Sequence, residues 1–303
     1  MQKIIITIVV LVVLIGGIVY FVKKPATIPA PTGTENTPTT PTGPAATSTP
    51  TKPAENPGMS VIGSSVEKRD ITAYHFGTGE KEIVFIGGIH GGYEWNTSML
   101  AFQAVDYFKD NPSAVPAGVK VTIIPVMNPD GLNKVVGSPD RFEKADVPAA
   151  SADTVPGRFN GNTVDLNRNF DCDWKAAAVW QSKPVSGGTA AFSEPESLAV
   201  KNYVEAKNPT AIVTWYSAAG GVFASSCHNG VSPETNTLTK TYATASGYPA
   251  HQSFDFYAIT GDMVNWFAKK NIPAISVLLT NHSDTEWTKN KAGIDAVLKA
   301  YAK

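Results

Sequence analysis

Four short, nearly unbroken apolar runs set the limits on what this chain can fold into. Residues 82–86, 119–126, 211–215 and 274–279 are too short and too β-branched to be helices. Runs of this kind are expected to be buried central strands of a covered sheet. Between them lie stretches with helical spacing over 94–109, 262–270 and 289–302. A further one opens at Ser193-Glu194-Pro195-Glu196, in the Ser-x-x-Glu form of a capping box with an early proline, and runs to about residue 206. Strands alternating with helices predict an α/β fold, with one domain built on a central mixed, largely parallel twisted sheet flanked by helices. Sites in such sheets collect at the carboxyl ends of strands.

The N-terminal end has a different character. Residues 4–22 form an apolar run diluted only by Thr7, Gly16, Gly17 and Tyr20, with Lys3 before it and Lys23 and Lys24 after. At ~1.5 Å per residue the run just crosses a ~30 Å hydrocarbon core. A cleaved signal peptide is the rival reading, but it requires a shorter apolar region and a small-x-small cleavage site. Phe21-Val22-Lys23-Lys24-Pro25 suits an uncleaved anchor better. Residues 25–58 are dominated by Pro, Thr and Ala and cannot bury enough surface to offset their ordering entropy. The expected organisation is a membrane anchor over 1–24, a disordered Pro/Thr-rich stalk over 25–58 and a globular domain over 59–303. A stalk after a single-pass anchor reads as cell-surface, so the domain is expected on the extracytoplasmic side of the cell membrane, with a cytoplasmic linker as the competing reading. The formal net charge of −1 gives no reason to expect a nucleic-acid partner. Cys172 and Cys227 pair in one disulfide or remain two buried thiols, and the sequence leaves both open.

Polar residues and glycines cluster where the apolar runs end. Gly87-Gly88-Ile89-His90-Gly91-Gly92-Tyr93-Glu94 leads from a strand through a Gly-rich turn towards a helix, so His90 and Glu94 can converge on one metal ion. A satisfied turn histidine is the plainer reading of the same residues. Asn128-Pro129-Asp130-Gly131 reads as a turn. The loop from Arg158 to Phe170 holds two arginines and several asparagines, and arginine's planar fork matches a carboxylate.

Together, His90…Glu94, Asn128-Pro129-Asp130-Gly131, Val164-Asp165-Leu166-Asn167-Arg168-Asn169-Phe170 and Tyr257-Ala258-Ile259-Thr260-Gly261-Asp262-Met263-Val264-Asn265-Trp266 resemble the zinc metallocarboxypeptidases of the carboxypeptidase A type, from about residue 71 to the C-terminus. The resemblance implies zinc at His90 and Glu94, with Asp165 orienting His90 and Arg158 polarising the scissile carbonyl. It also implies that Asn167 and Arg168 bind the substrate's terminal carboxylate, that Tyr257 closes over it, and that Val264 sits in the side-chain pocket. Three residues separate His90 from Glu94 where the family more often has two.

Two departures bear on chemistry. Tyr216 occupies the place of the third zinc ligand, a histidine, and Leu278 that of the general-base glutamate. A neutral tyrosine is a poor zinc ligand, so zinc binding is expected to be weakened or lost. Leucine has no lone pair, and general-base catalysis is typically worth ~10²–10⁴-fold. His282, Glu286 and His228 are read as surface or structural groups rather than replacements, and His75 and His251 receive no role. The favoured expectation is an impaired or inactive relative that binds peptide or protein C-termini. An active carboxypeptidase, acting on peptides such as those of the cell wall, and a surface scaffold with an unused pocket are the alternatives.

Overall fold

The computed structural model describes residues 58–302. The predicted anchor and almost all of the stalk fall outside these residues. Among the described residues, no helix is long and apolar enough to cross a membrane. The strands are β1 (Met59–Ser64), β2 (Asp70–Phe76), β3 (Lys81–Ile86), β4 (Val119–Ile124), β5 (Ala177–Trp180), β6 (Lys183–Ser186), β7 (Ala211–Ser217), β8 (Gly221–Ala224), β9 (Ala250–His251) and β10 (Ala274–Leu279). The helices are α1 (Trp95–Asp110), α2 (Pro129–Val136), the single turn α3 (Ser151–Thr154), α4 (Pro195–Lys207), α5 (Pro233–Ser246), α6 (Met263–Lys269) and α7 (Trp287–Tyr301).

Eight strands form one mixed sheet in the order β1-β2-β4-β3-β7-β10-β8-β9, while β5 and β6 make a separate hairpin. The four predicted apolar runs are β4, β3, β7 and β10, and they form its parallel centre. Each buries both faces because neighbouring residues point to opposite sides. Ile83 and Phe85 pack on one side with Leu100 of α1, Leu238 of α5 and Ile294 of α7. Val84 and Ile86 pack on the other with Val200 of α4 and Phe267 of α6. Tyr216 and Leu278 belong to this second side, which places the site at the carboxyl ends of β7 and β10.

Two local expectations change. Asn128-Pro129-Asp130-Gly131 starts α2 rather than closing a turn. The Asn128 side chain accepts a hydrogen bond from Gly131 N–H, and Pro129 takes the first helical position, where its missing N–H costs nothing. The capping box at α4 does not form. Glu194 is the N-cap residue, with no side-chain cap bond. Glu196 instead turns inward to accept from Asn160 and from Val66 N–H.

Candidate metal and carboxylate site

The turn after β3 delivers His90 and Glu94. Gly91 there has φ +43°, and a Cβ on it would lie 2.6 Å from the Gly157 carbonyl oxygen, so only glycine fits. The extra residue between His90 and Glu94 is absorbed by a 3₁₀ turn over Gly91–Glu94 that precedes α1. His90 Nδ1 lies 2.9 Å from Glu94 Oε1. Neither ring nitrogen of His90 has a hydrogen-bond partner, although both are buried. The other Glu94 oxygen accepts from Ser217 N–H at 3.0 Å. Two lone-pair donors this close can share a cation. With zinc–ligand bonds of about 2.0–2.2 Å, a tetrahedral ion spaces its ligand atoms by roughly 3.3–3.6 Å, so a small relaxation would seat it.

Behind His90, Nε2 lies 3.4 Å from Asp165 Oδ1. Asp165 Oδ2 accepts from Arg158 Nε at 2.9 Å and pairs with Nη2 at 2.8 Å. Burial alone pushes the Asp165 carboxyl up, but Arg158 and His90 outweigh it and hold it well below the usual range. Glu94 is likewise held low against its burial, by His90, Arg158 and His282. Arg158 Nη1 reaches only to 3.9 Å from Glu94 Oε1, and its guanidinium stacks 4.3 Å from the Trp180 ring centroid. Its two bonds therefore neutralise Asp165, and one edge of the fork is left towards Glu94.

Position 216 does not complete the metal set. The Tyr216 hydroxyl donates to Asn167 Oδ1 at 3.3 Å. Burial, together with the carboxyls of Asp262 and Glu94, pushes its phenol well above the ordinary value, so it is a neutral donor. Leu278 is 7% exposed and contributes only hydrocarbon. His90 and Glu94 thus fit a metal, whereas Tyr216 and Leu278 fit neither the third ligand nor a base.

The carboxylate half is built differently. Arg168 is anchored by Nε to the Val179 carbonyl at 2.9 Å and by Nη1 to the Asn167 carbonyl at 2.7 Å. Its Nη2 is buried with no partner. Tyr257 lies against it, and the Arg168 charge offsets part of the burial that raises the Tyr257 phenol. Asn167 is more committed. Its side-chain Oδ1, which takes the Tyr216 hydroxyl, also accepts from Met263 N–H, and one amide hydrogen goes to Asp262 Oδ2 at 2.9 Å.

These groups line one cavity of about 650 Å³ that includes His90, Glu94, Arg158, Arg168, Tyr216 and Leu278. Val264 is not on its wall. It is 1% exposed and packs into the core, while its neighbour Asn265 faces the cavity. Asp262 caps α6 through Asn265 N–H, and that start fixes which side of the helix turns outward. Burial raises the Asp262 carboxyl despite the nearby Arg168.

His282 corrects a second expectation. It lines the cavity and packs its ring 4.8 Å from that of Tyr93. Glu286 is structural, accepting from Thr280 N–H at 2.6 Å and from the Tyr248 hydroxyl at 2.8 Å. His228 is exposed and pairs with Asp173 at 3.0 Å. Trp180 and Tyr93 wall Arg158, and neither lies in a motif that would mark it from sequence. Cys172 and Cys227 form a disulfide with Cα atoms 6.1 Å apart. Those two sulfurs and a His228 nitrogen lie within 4.8 Å of one another, but bonded sulfurs are not thiolate ligands.

Comparison with known proteins accounts for this layout. The zinc carboxypeptidase family profile matches residues 54–296. The γ-D-glutamyl-L-diamino acid endopeptidase 1 of Lysinibacillus sphaericus is 25% identical over 226 residues, covering 68% of this chain and 56% of that protein. The human carboxypeptidase N catalytic chain is 26% identical, over 64% of this chain and 40% of its own length. The chain therefore spans little more than half, or less, of these relatives. Among solved structures, carboxypeptidase A from Helicoverpa armigera superposes with TM-score 0.64 at 19% identity, covering 80% of this chain and 68% of that one. Murein-tripeptide amidase MpaA from Escherichia coli O157 gives TM-score 0.55 at 18% identity, covering 83% and 94%. These likenesses are of fold. With the family profile matched over most of its length, the chain belongs to the zinc carboxypeptidase family.

Proposed function

We propose that this chain binds the carboxylate-bearing C-termini of peptides or proteins and that its hydrolytic activity is lost or severely impaired. The observation that carries this reading is the contrast within one cavity. Arg168 presents a buried guanidinium nitrogen with no partner beside Tyr257, whereas a neutral phenol and a leucine fill the positions where the family places its third ligand and its base. A buried, unpaired cationic donor is costly unless something pairs with it, and a carboxylate does so with a charge-assisted bond.

When bound, zinc would polarise a scissile carbonyl and activate a water, and His90 and Glu94 would hold it. Asp165, 3.4 Å behind Nε2, would then orient the imidazole of His90. Nothing at position 278 takes a proton from such a water. Murein tripeptides and γ-D-glutamyl-diamino acid linkages, named for two of the similar proteins, are peptides to try first as ligands.

The domain is proposed to act outside the cytoplasm, tethered through residues 1–24 and held off the bilayer by residues 25–58. The apolar N-terminal run, the Pro/Thr-rich segment and the Cys172–Cys227 disulfide support this placement. Calorimetric titration with one peptide bearing either a free or an amidated C-terminus tests the recognition. The free acid is expected to bind at least about tenfold more tightly, with that preference lost in Arg168→Lys, which keeps the charge but not the fork. Equal binding of acid and amide would sink the reading.

A further inference from the structure

The loop that follows β10 carries His282 back over the metal half of the cavity. We infer that His282 supplies the third protein ligand to a divalent transition metal held by His90 and Glu94, in the role that position 216 does not fill. This goes beyond the recognition of C-termini and does not depend on it.

Several independent features point to His282. It lines the same cavity as His90 and Glu94. Its ring lies on Tyr93, the residue immediately before Glu94, at 4.8 Å between centroids. Its Nδ1 is buried and has no hydrogen-bond partner, a condition it shares with both nitrogens of His90. Two imidazoles with unpartnered buried nitrogens beside one ionised carboxylate make a mixed His₂Glu donor set, a combination that suits zinc.

The loop backbone is fixed, so little must move. Asn96 of α1 donates through Nδ2 to the carbonyls of Asn281 and Asp284, at 2.8 and 2.9 Å, on either side of His282. Asn281 Oδ1 in turn accepts from Ser283 N–H and Asp284 N–H at 2.7 and 2.8 Å. At the far end Glu286 accepts from Thr280 N–H. Among the described residues His282 does not bring a nitrogen within 4.8 Å of both the His90 and Glu94 donor atoms. Binding therefore requires the imidazole to rotate on a held backbone, with the ion drawing the three donors together. Tyr216 would stay bonded to Asn167 throughout.

Zinc binding by competition with a chromophoric chelator tests this. The whole chain and its Tyr216→Phe, His282→Ala, His282→Gln and His90→Ala variants would be compared, with thermal unfolding as a check on folding. The wild-type chain is expected to bind one zinc, and His282→Ala, His282→Gln and His90→Ala each to weaken it at least tenfold. Tyr216→Phe is expected to stay within twofold. With cobalt in place of zinc, the visible absorption of a four-coordinate ion is expected in the wild type and lost in His282→Ala. A wild-type chain with no stoichiometric metal would overturn the inference, as would folded His282 variants with unchanged affinity, or a loss in Tyr216→Phe as large as that in His282→Ala. Failure here leaves the Arg168-dependent preference for free C-termini intact, since that titration can be run in chelator.

Discussion

Tyr216 and Leu278 are direct partners in the parallel register of β7 and β10. The two positions that depart from the family's chemistry are therefore one place in the molecule, at the carboxyl ends of two adjacent central strands. The sheet gives both side chains the same face, so a metal ligand and a base installed there would meet across a single cavity.

Restoring both groups is expected to create hydrolysis. Tyr216→His with Leu278→Glu should release C-terminal residues in the presence of zinc at least ~10²-fold faster than the unmodified chain. Tyr216→His alone should stay near background, since Leu278 still leaves no base. The check is amino-acid release from a short peptide. Activity in the Tyr216→His variant alone would mean that Leu278 is not the limiting position.

The pairing of Asp165 with Arg158 is expected to hold the site together as well as orient His90. Arg158 is 2% exposed and Asp165 is fully buried. Removing one partner of such a pair leaves a buried charge uncompensated, at a cost of about 3–5 kcal/mol. Asp165→Ala should lower the midpoint of urea unfolding accordingly, with Asp165→Asn between it and the wild type. An unchanged midpoint in Asp165→Ala would rule out that role.

Glu286 ties the loop after β10 to Tyr248 and to Lys289 of α7. Bonds from Lys289 and Thr280 outweigh its burial and draw its carboxyl down from the ordinary 4.5 to about 2. A folded-state value below the unfolded one stabilises the fold above about pH 4.5, and that contribution fades as pH falls towards 2. The gap in melting temperature between wild type and Glu286→Gln should be widest near neutrality and close across this acid window. A gap independent of pH would contradict the assignment.

Much of the fold is legible in the sequence because buried parallel strands leave continuous apolar runs, and β3, β4, β7 and β10 each have one. The strands flanking that parallel centre, β1, β2, β8 and β9, and helix α5 have no such signal. In Pro233–Ser246 threonines and alanines blur the contrast between faces, so its helical period carries little signal. Within the site, His90, Glu94, Asp165 and Arg168 come together as their motifs imply. Val264 was misplaced because the side that α6 turns to the cavity depends on where Asp262 caps it. His282 escaped because its neighbours Tyr93 and Asn96 are remote in sequence, and no local spacing rule joins a loop after one strand to the start of a distant helix.

Recognition of C-termini without cleavage can be followed by incubating the whole chain with zinc and a mixture of free-acid peptides, murein tripeptide among them, and recording bound and free species by mass spectrometry. The expected result is peptide retained at full mass by the wild type, released by Arg168→Lys, and untrimmed after prolonged incubation. Steady loss of single C-terminal residues catalysed by the wild-type chain, abolished by His90→Ala, would contradict it.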